Sequence, residues 1–99
     1  MAEDSASRPV VVKLPAALVR LFPEATRQVE ISAPASVATV GDAIDALDRR
    51  WPGMRDRICD TTPSIRRHMN VFVSGERATL ETRLAPGAEV VVLTAISGG

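Results

Sequence analysis

The sequence predicts an α+β domain, a mixed four- to five-stranded sheet with one main helix packed across it. Three observations carry that expectation. β-branched runs stand near both ends of the chain, alternating with period two at residues 10–14 and apolar on both faces at 90–95. One amphipathic helix with signals at both ends occupies residues 39–51. The elements follow in the order strand, strand, helix, strand, short strand, strand, so a single helix has a whole sheet to cover.

The first strand is the run Val10, Val12 and Leu14 alternating with Val11 and Lys13, ended by Pro15. Residues 16–22 read in two ways: Leu18, Leu21 and Phe22 at i, i+3, i+4 make either a helical turn under the sheet or an irregular apolar loop before Pro23. Val29 and Ile31 alternate with Gln28, Glu30 and Ser32 in a second, half-buried strand over 27–33, closed by Pro34.

The helix is the clearest local signal. Thr39 caps it, and Val40, Ile44, Leu47 and Trp51 fall at i, i+4, i+7 and i+11 on one face. Asp42 at the N-terminal end and Arg49 and Arg50 at the C-terminal end complement the helix dipole, Asp45 and Arg49 are spaced as an i, i+4 ion pair, and Pro52-Gly53 stops the helix.

Residues 54–64 form a connector with one short turn around 55–58. Residues 69–73 are the next strand, Ser74-Gly75 a hairpin turn, and 77–79 a short return strand. In Leu84-Ala85-Pro86-Gly87 the glycine supplies the positive φ of a type II turn, and 90–95 is the last strand, apolar on both faces.

Composition narrows the function. The chain has 99 residues, 45% apolar and 24% charged, and a chain of this size buries roughly 64% of its unfolded surface, enough for one core. Twelve basic and twelve acidic residues cancel, and only 3% of residues are aromatic, with no Tyr. Both facts argue against a nucleic-acid binder steered by charge and base stacking. No run approaches the roughly 18–20 apolar residues that span a bilayer, so no membrane partner is expected. Residues 1–9 read as a flexible polar leader and not a secretory signal. Cys59 is the one cysteine, closes no intramolecular disulfide and suits a reducing, cytoplasmic compartment.

No catalytic constellation assembles. His68 is the one histidine and reads as a surface or strand-edge residue; Cys59 reads as a small buried hydrophobe; Arg66-Arg67 reads as a solvated face. Asp42, Asp45 and Asp48 at i, i+3, i+6 form a water-facing stripe, and no cluster has metal-ligand spacing. The chain's end differs. The last strand runs through Leu93, Thr94, Ala95 and Ile96 into Ser97-Gly98-Gly99. Four extended residues reach about 13–14 Å, and glycines without Cβ atoms pass a narrow channel, so the Gly99 carboxylate can enter a partner's active site.

The segments Asn70-Val71-Phe72-Val73-Ser74-Gly75-Glu76, Leu84-Ala85-Pro86-Gly87-Ala88-Glu89-Val90 and Leu93-Thr94-Ala95-Ile96-Ser97-Gly98-Gly99 resemble the ubiquitin-like sulfur carriers of the MoaD/ThiS family. The resemblance runs from Val10 onward. The connector Arg57-Ile58-Cys59-Asp60, followed by Ile65-Arg66-Arg67-His68-Met69-Asn70, is similar to the longer members of cysteine-biosynthetic type. Two departures bear on partner identity: Pro86-Gly87-Ala88 replaces an acidic Asp-Gly-Asp turn, and Thr94-Ala95 stands where a proline often precedes the tail.

The resemblance implies a ubiquitin-like β-grasp fold over residues 10–95, a reactive extended tail at 96–99, and a protein that is a co-substrate and not an enzyme. A ubiquitin-activating-enzyme-like adenylyltransferase would use ATP and Mg²⁺ to adenylate Gly99, and sulfur would then replace AMP to leave a thiocarboxylate. No cofactor is expected to bind the carrier tightly. The sulfur acceptor would be a pyridoxal-phosphate-dependent synthase or a molybdopterin-type synthase, with cysteine-type assembly favoured and the free carrier a monomer. The alternatives are the small subunit of molybdopterin synthase, a ubiquitin-like protein modifier and a non-covalent interaction module. Gly98 would grant passage while Ile96 and Ser97 line the channel mouth.

Strand alternation then places Val71, Val73, Val90 and Val92 toward the core and Phe72, Val91 and Leu93 on the other face. That second face is either a docking patch for the partner or is covered by residues 16–22 or the connector.

Overall fold

The computed structural model describes residues 8–31, 37–62 and 64–94. Most of the leader, the end of the second expected strand with Pro34, Ala95 and the tail residues Ile96, Ser97, Gly98 and Gly99 lie outside the described residues.

The described elements are β1 (Val10–Lys13), α1 (Ala16–Val19), β2 (Gln28–Ile31), α2 (Val40–Arg50), α3 (Met54–Ile58), β3 (Met69–Val73), β4 (Glu76–Arg77) and β5 (Glu89–Thr94). The sheet order is β2-β1-β5-β3-β4, with β1 and β5 parallel and the other neighbours antiparallel. The first and last strands thus meet at the centre of a mixed sheet, as the β-grasp expectation requires.

One face of the sheet makes the core. Val10 and Val12 of β1, Val29 and Ile31 of β2, Met69 and Val71 of β3, and Val90 and Val92 of β5 are buried there with Val40, Ala43, Ile44 and Leu47 of α2. Leu18 of α1 joins the same cluster, so residues 16–19 are the helical turn under the sheet. Met54 and Ile58 of α3 and Cys59 after it are also buried in this core. Val73 is only half-buried, because it stands at the sheet corner beside the hairpin turn.

The ends of α2 follow from specific side chains. Asp42 N–H donates to the Thr39 hydroxyl while the Asp42 carboxylate accepts from Thr39 N–H, closing a capping box. At the other end Gly53 adopts φ +101°, a left-handed conformation that only glycine takes at little cost, and the chain turns there from α2 into α3. The expected Asp45–Arg49 pair does not form; Asp45 instead pairs with Arg55 of α3, whose guanidinium reaches it across the α2–α3 corner. The hairpin turn has φ +52° at Ser74 and +86° at Gly75, the type I′ pattern that matches strand twist.

The return strand starts one residue earlier than expected and stops at Arg77. The two-residue turn sets Glu76 opposite Val73, and beyond Ala78 the chain leaves the sheet for the start of α2. There Leu80 C=O accepts from Gly41 N–H at 2.9 Å and Thr82 C=O from Val40 N–H at 3.0 Å. The orphan N-terminal donors of α2 are thus satisfied by carbonyls of the segment that follows β4.

Candidate functional site

β5 leads toward the tail, and its position comes from its composition. Glu89–Thr94 has Val90 and Val92 buried on the helical side and Val91 and Leu93 on the other, so the strand is apolar on both faces as expected and sits in the middle of the sheet. Pairing with β1 ends at Val91, whereas pairing with β3 continues to Thr94, which faces Met69. The strand runs three residues past its parallel neighbour and is exposed at Leu93 and Thr94. The site residues Ile96, Ser97, Gly98 and Gly99 follow beyond the described residues.

The other three expected site residues share the sheet face opposite the helices. Phe72 faces Val91 across the β3–β5 pair, and Leu93 faces Asn70. Phe72 and Val91 are half-buried, while Leu93 is 45% exposed. Because α1 and α3 both pack into the core on the opposite side, the described residues of neither 16–22 nor the connector cover this face. Val11 of β1 continues the apolar strip.

Polar groups frame the strip. Lys13 Nζ lies 2.8 Å from the Glu89 carboxylate, bridging β1 and β5 across exposed surface. Such a pair contributes a few tenths of a kcal/mol and chiefly sets the charge pattern at the edge. The Arg77 guanidinium stands 5.9 Å from the centre of the Phe72 ring, within cation–π reach.

His68 is exposed, at the turn into β3. Cys59 is 3% exposed, and burial pushes its thiol up, so the reactive thiolate is disfavoured. Among the described residues no group of three or more His, Cys, Asp or Glu side chains could hold a metal ion, and no helix is long and apolar enough to cross a membrane.

The aspartates do more than face water. Asp48 accepts from the N–H groups of Gly53 and Arg55, both at 3.0 Å, and so fastens the α2–α3 corner. Asp60 accepts from the Thr62 hydroxyl and N–H and from Ser64 N–H, bonds that bring its carboxyl down to about 2. The Asp-x-Thr and Asp-x-x-x-Ser spacings could have signalled that knot in the connector. These groups shape the scaffold without adding a reactive centre.

The fold thus has an apolar face beside a central strand that leads to Gly-Gly. Against known families, the ThiS family matches residues 12–99, nearly the whole domain and the terminal glycines. This chain belongs to the ThiS family. Small archaeal modifier protein 1 of Haloferax volcanii is 39% identical over 62 residues, 63% of this chain and 71% of that protein. Its crystal structure superposes with a TM-score of 0.75 at 33% identity, covering 92% of this chain and 99% of that one. A chain of the Amycolatopsis orientalis BexX/CysO complex gives a TM-score of 0.76 at 28% identity, covering 91% and 99%. CysO of Mycobacterium tuberculosis gives 0.74 at 26%, covering 88% and 99%. The ThiS-family chain is therefore a ubiquitin-like β-grasp protein among small modifiers and sulfur carriers.

Proposed function

We propose that this ThiS-family chain is a sulfur carrier whose Gly99 carboxylate becomes a thiocarboxylate. The observation that carries the reading is the family match running through Gly99, joined to a central strand that leads into that tail. A carboxylate is a poor acyl donor because its oxygen is a poor leaving group. An adenylyltransferase with ATP and Mg²⁺ corrects this: a carboxylate oxygen attacks the α-phosphorus of ATP, pyrophosphate leaves, and an acyl adenylate remains. Hydrosulfide then attacks the acyl carbon and AMP departs, leaving the thiocarboxylate.

In this reading the apolar strip of Phe72, Val91 and Leu93 docks the activating enzyme while Ile96, Ser97 and Gly98 pass into its channel. The acceptor is a pyridoxal-phosphate-dependent synthase of cysteine-forming type, where the soft sulfur nucleophile adds to an activated alkene; a molybdopterin-type acceptor would use the same thiocarboxylate. The carrier acts in the cytosol, is a monomer when free and holds no cofactor tightly.

A second reading has one observation in its favour, the 39% identity to a protein named as a modifier. A modifier would pass the activated Gly99 acyl group to a lysine amine instead of to sulfur. Deletion of Gly99 together with affinity capture from cells separates the two. A carrier yields free thiocarboxylate that disappears with the deletion, whereas a modifier yields higher-mass conjugates. Thiocarboxylate persisting after the deletion would refute the assignment of Gly99.

A further inference from the structure

The departure of the chain after β4 opens a gap at the edge of β3. Ala78 N–H donates to Val71 C=O at 2.8 Å, and the next residues turn away toward α2. Main-chain groups of successive strand residues point to opposite sides in the sheet plane. Ser74 N–H donates to Glu89 C=O, so Ser74, Phe72 and Asn70 address β5, while Val71 and Met69 address the other side. The Val71 N–H and the Met69 C=O thus face the gap. Among the described residues neither has a hydrogen-bond partner, although Val71 is only 1% exposed and Met69 only 8%. Buried main-chain groups are nearly always paired, so this edge has one donor and one acceptor unused.

The gap is an open groove of about 450 Å³. Ile65 and Leu80 give it apolar walls, and Arg66, Arg67 and Arg77 line it against a single acid, Glu81. Arg66 is fixed in place, its Nε donating to Asp56 C=O at 2.7 Å. The two unused groups flank Asn70, and their spacing matches the C=O and N–H offered by one residue of an added parallel strand, or by two residues of an antiparallel one.

We propose that this groove binds an extended, carboxylate-bearing segment of a partner protein, which adds to the sheet through Val71 N–H and Met69 C=O while Arg67 and Arg77 take its acidic side chains. Main-chain pairing supplies the hold and Arg67 and Arg77 supply the choice of sequence. The groove lies on the far side of β3 from β5, at the end where Met69 faces Thr94, so the segment would be gripped one strand away from the base of the tail. This binding is separate from the sulfur chemistry, since it does not use Gly99, and it shares with the Phe72 face only Arg77 at its border.

The test is an NMR titration of the uniformly ¹⁵N-labelled full chain with the capped peptide acetyl-Val-Asp-Val-Asp-Val-amide. The expected result is a saturable shift largest at the Val71 amide, with its hydrogen exchange slowed roughly tenfold or more. The Lys-for-Asp version of the peptide, and one N-methylated on alternate amides, should leave Val71 unmoved. Arg67→Glu and Arg77→Glu, both at exposed positions, should weaken binding roughly tenfold each while the remaining spectrum reports an intact fold. The proposal is overturned if the acidic peptide leaves Val71 unshifted, or moves Phe72, Val91 and Leu93 instead. It is equally overturned if an oligouridine shifts the arginine-lined groove while the peptide does not.

Discussion

Replacing Leu93 separates what the outer face does for folding from what it does for docking. The free domain leaves Leu93 45% exposed, so slightly over half of the value of burying it is realised on folding. Full burial of a leucine is worth about 1.5–3 kcal/mol, which gives Leu93→Ala a folding cost of about 1 kcal/mol and a Tm lowered by about 4–8 °C. The exposed remainder is available to a partner and is worth about 1 kcal/mol more, or roughly fivefold in Kd. Leu93→Asp would also bury a carboxylate in an apolar contact, and the loss should reach roughly a hundredfold. Leu21 is the control: it is 51% exposed but follows α1, which packs on the helical side, so Leu21→Asp should leave binding unchanged. Calorimetric titration against the activating enzyme, paired with thermal unfolding, reads both quantities. The reasoning fails if Leu93→Asp binds like the parent chain, if Leu21→Asp weakens binding equally, or if Leu93→Asp has no cooperative melt.

Other outcomes follow from the scaffold. Thr39→Ala removes half of the capping box and should cost about 1 kcal/mol by denaturant unfolding. Leu47→Ala, at a side chain 1% exposed between α2 and the sheet, should cost about 2–5 kcal/mol in the same assay. Asp60, at about 2, and Asp42, held low first by the N–H of Ala38 and further by Thr39, both lie below the unfolded value of 3.8. Their contribution is therefore present above that value and lost as the pH falls through the folded one. Asp60→Asn should flatten the stability profile between pH 3.8 and about 2, measured by thermal unfolding across that range.

Much of this architecture was legible from local chemistry. The Thr39 cap, the spacing of Val40, Ile44 and Leu47, and the Ser74-Gly75 turn specify elements that need only their neighbours, and the structure has each where expected. Alternation in β5 likewise put Val91 and Leu93 on one face and Val90 and Val92 on the other. What periodicity could not supply was the packing of irregular segments. Residues 16–19 form a helical turn because Leu18 finds room in the core, a fact set by distant strands. Asp45 chose Arg55 over Arg49 because the Gly53 corner folds α3 back alongside α2. The short β4 and the groove beside it arise where the chain after Ala78 turns away and gives the carbonyls of residues 80 and 82 to the first N–H groups of α2. The place of Gly98-Gly99 after the last strand singled out the tail, and the resemblance implied its chemistry.

The central claim is tested most directly by the intact mass of the chain after incubation with its activating enzyme, ATP, Mg²⁺ and sulfide. The account predicts a gain of about 16 Da, oxygen exchanged for sulfur, located by fragmentation on Gly99. An unchanged mass while ATP is consumed would contradict it, as would a gain of about 32 Da on Cys59, the signature of a persulfide.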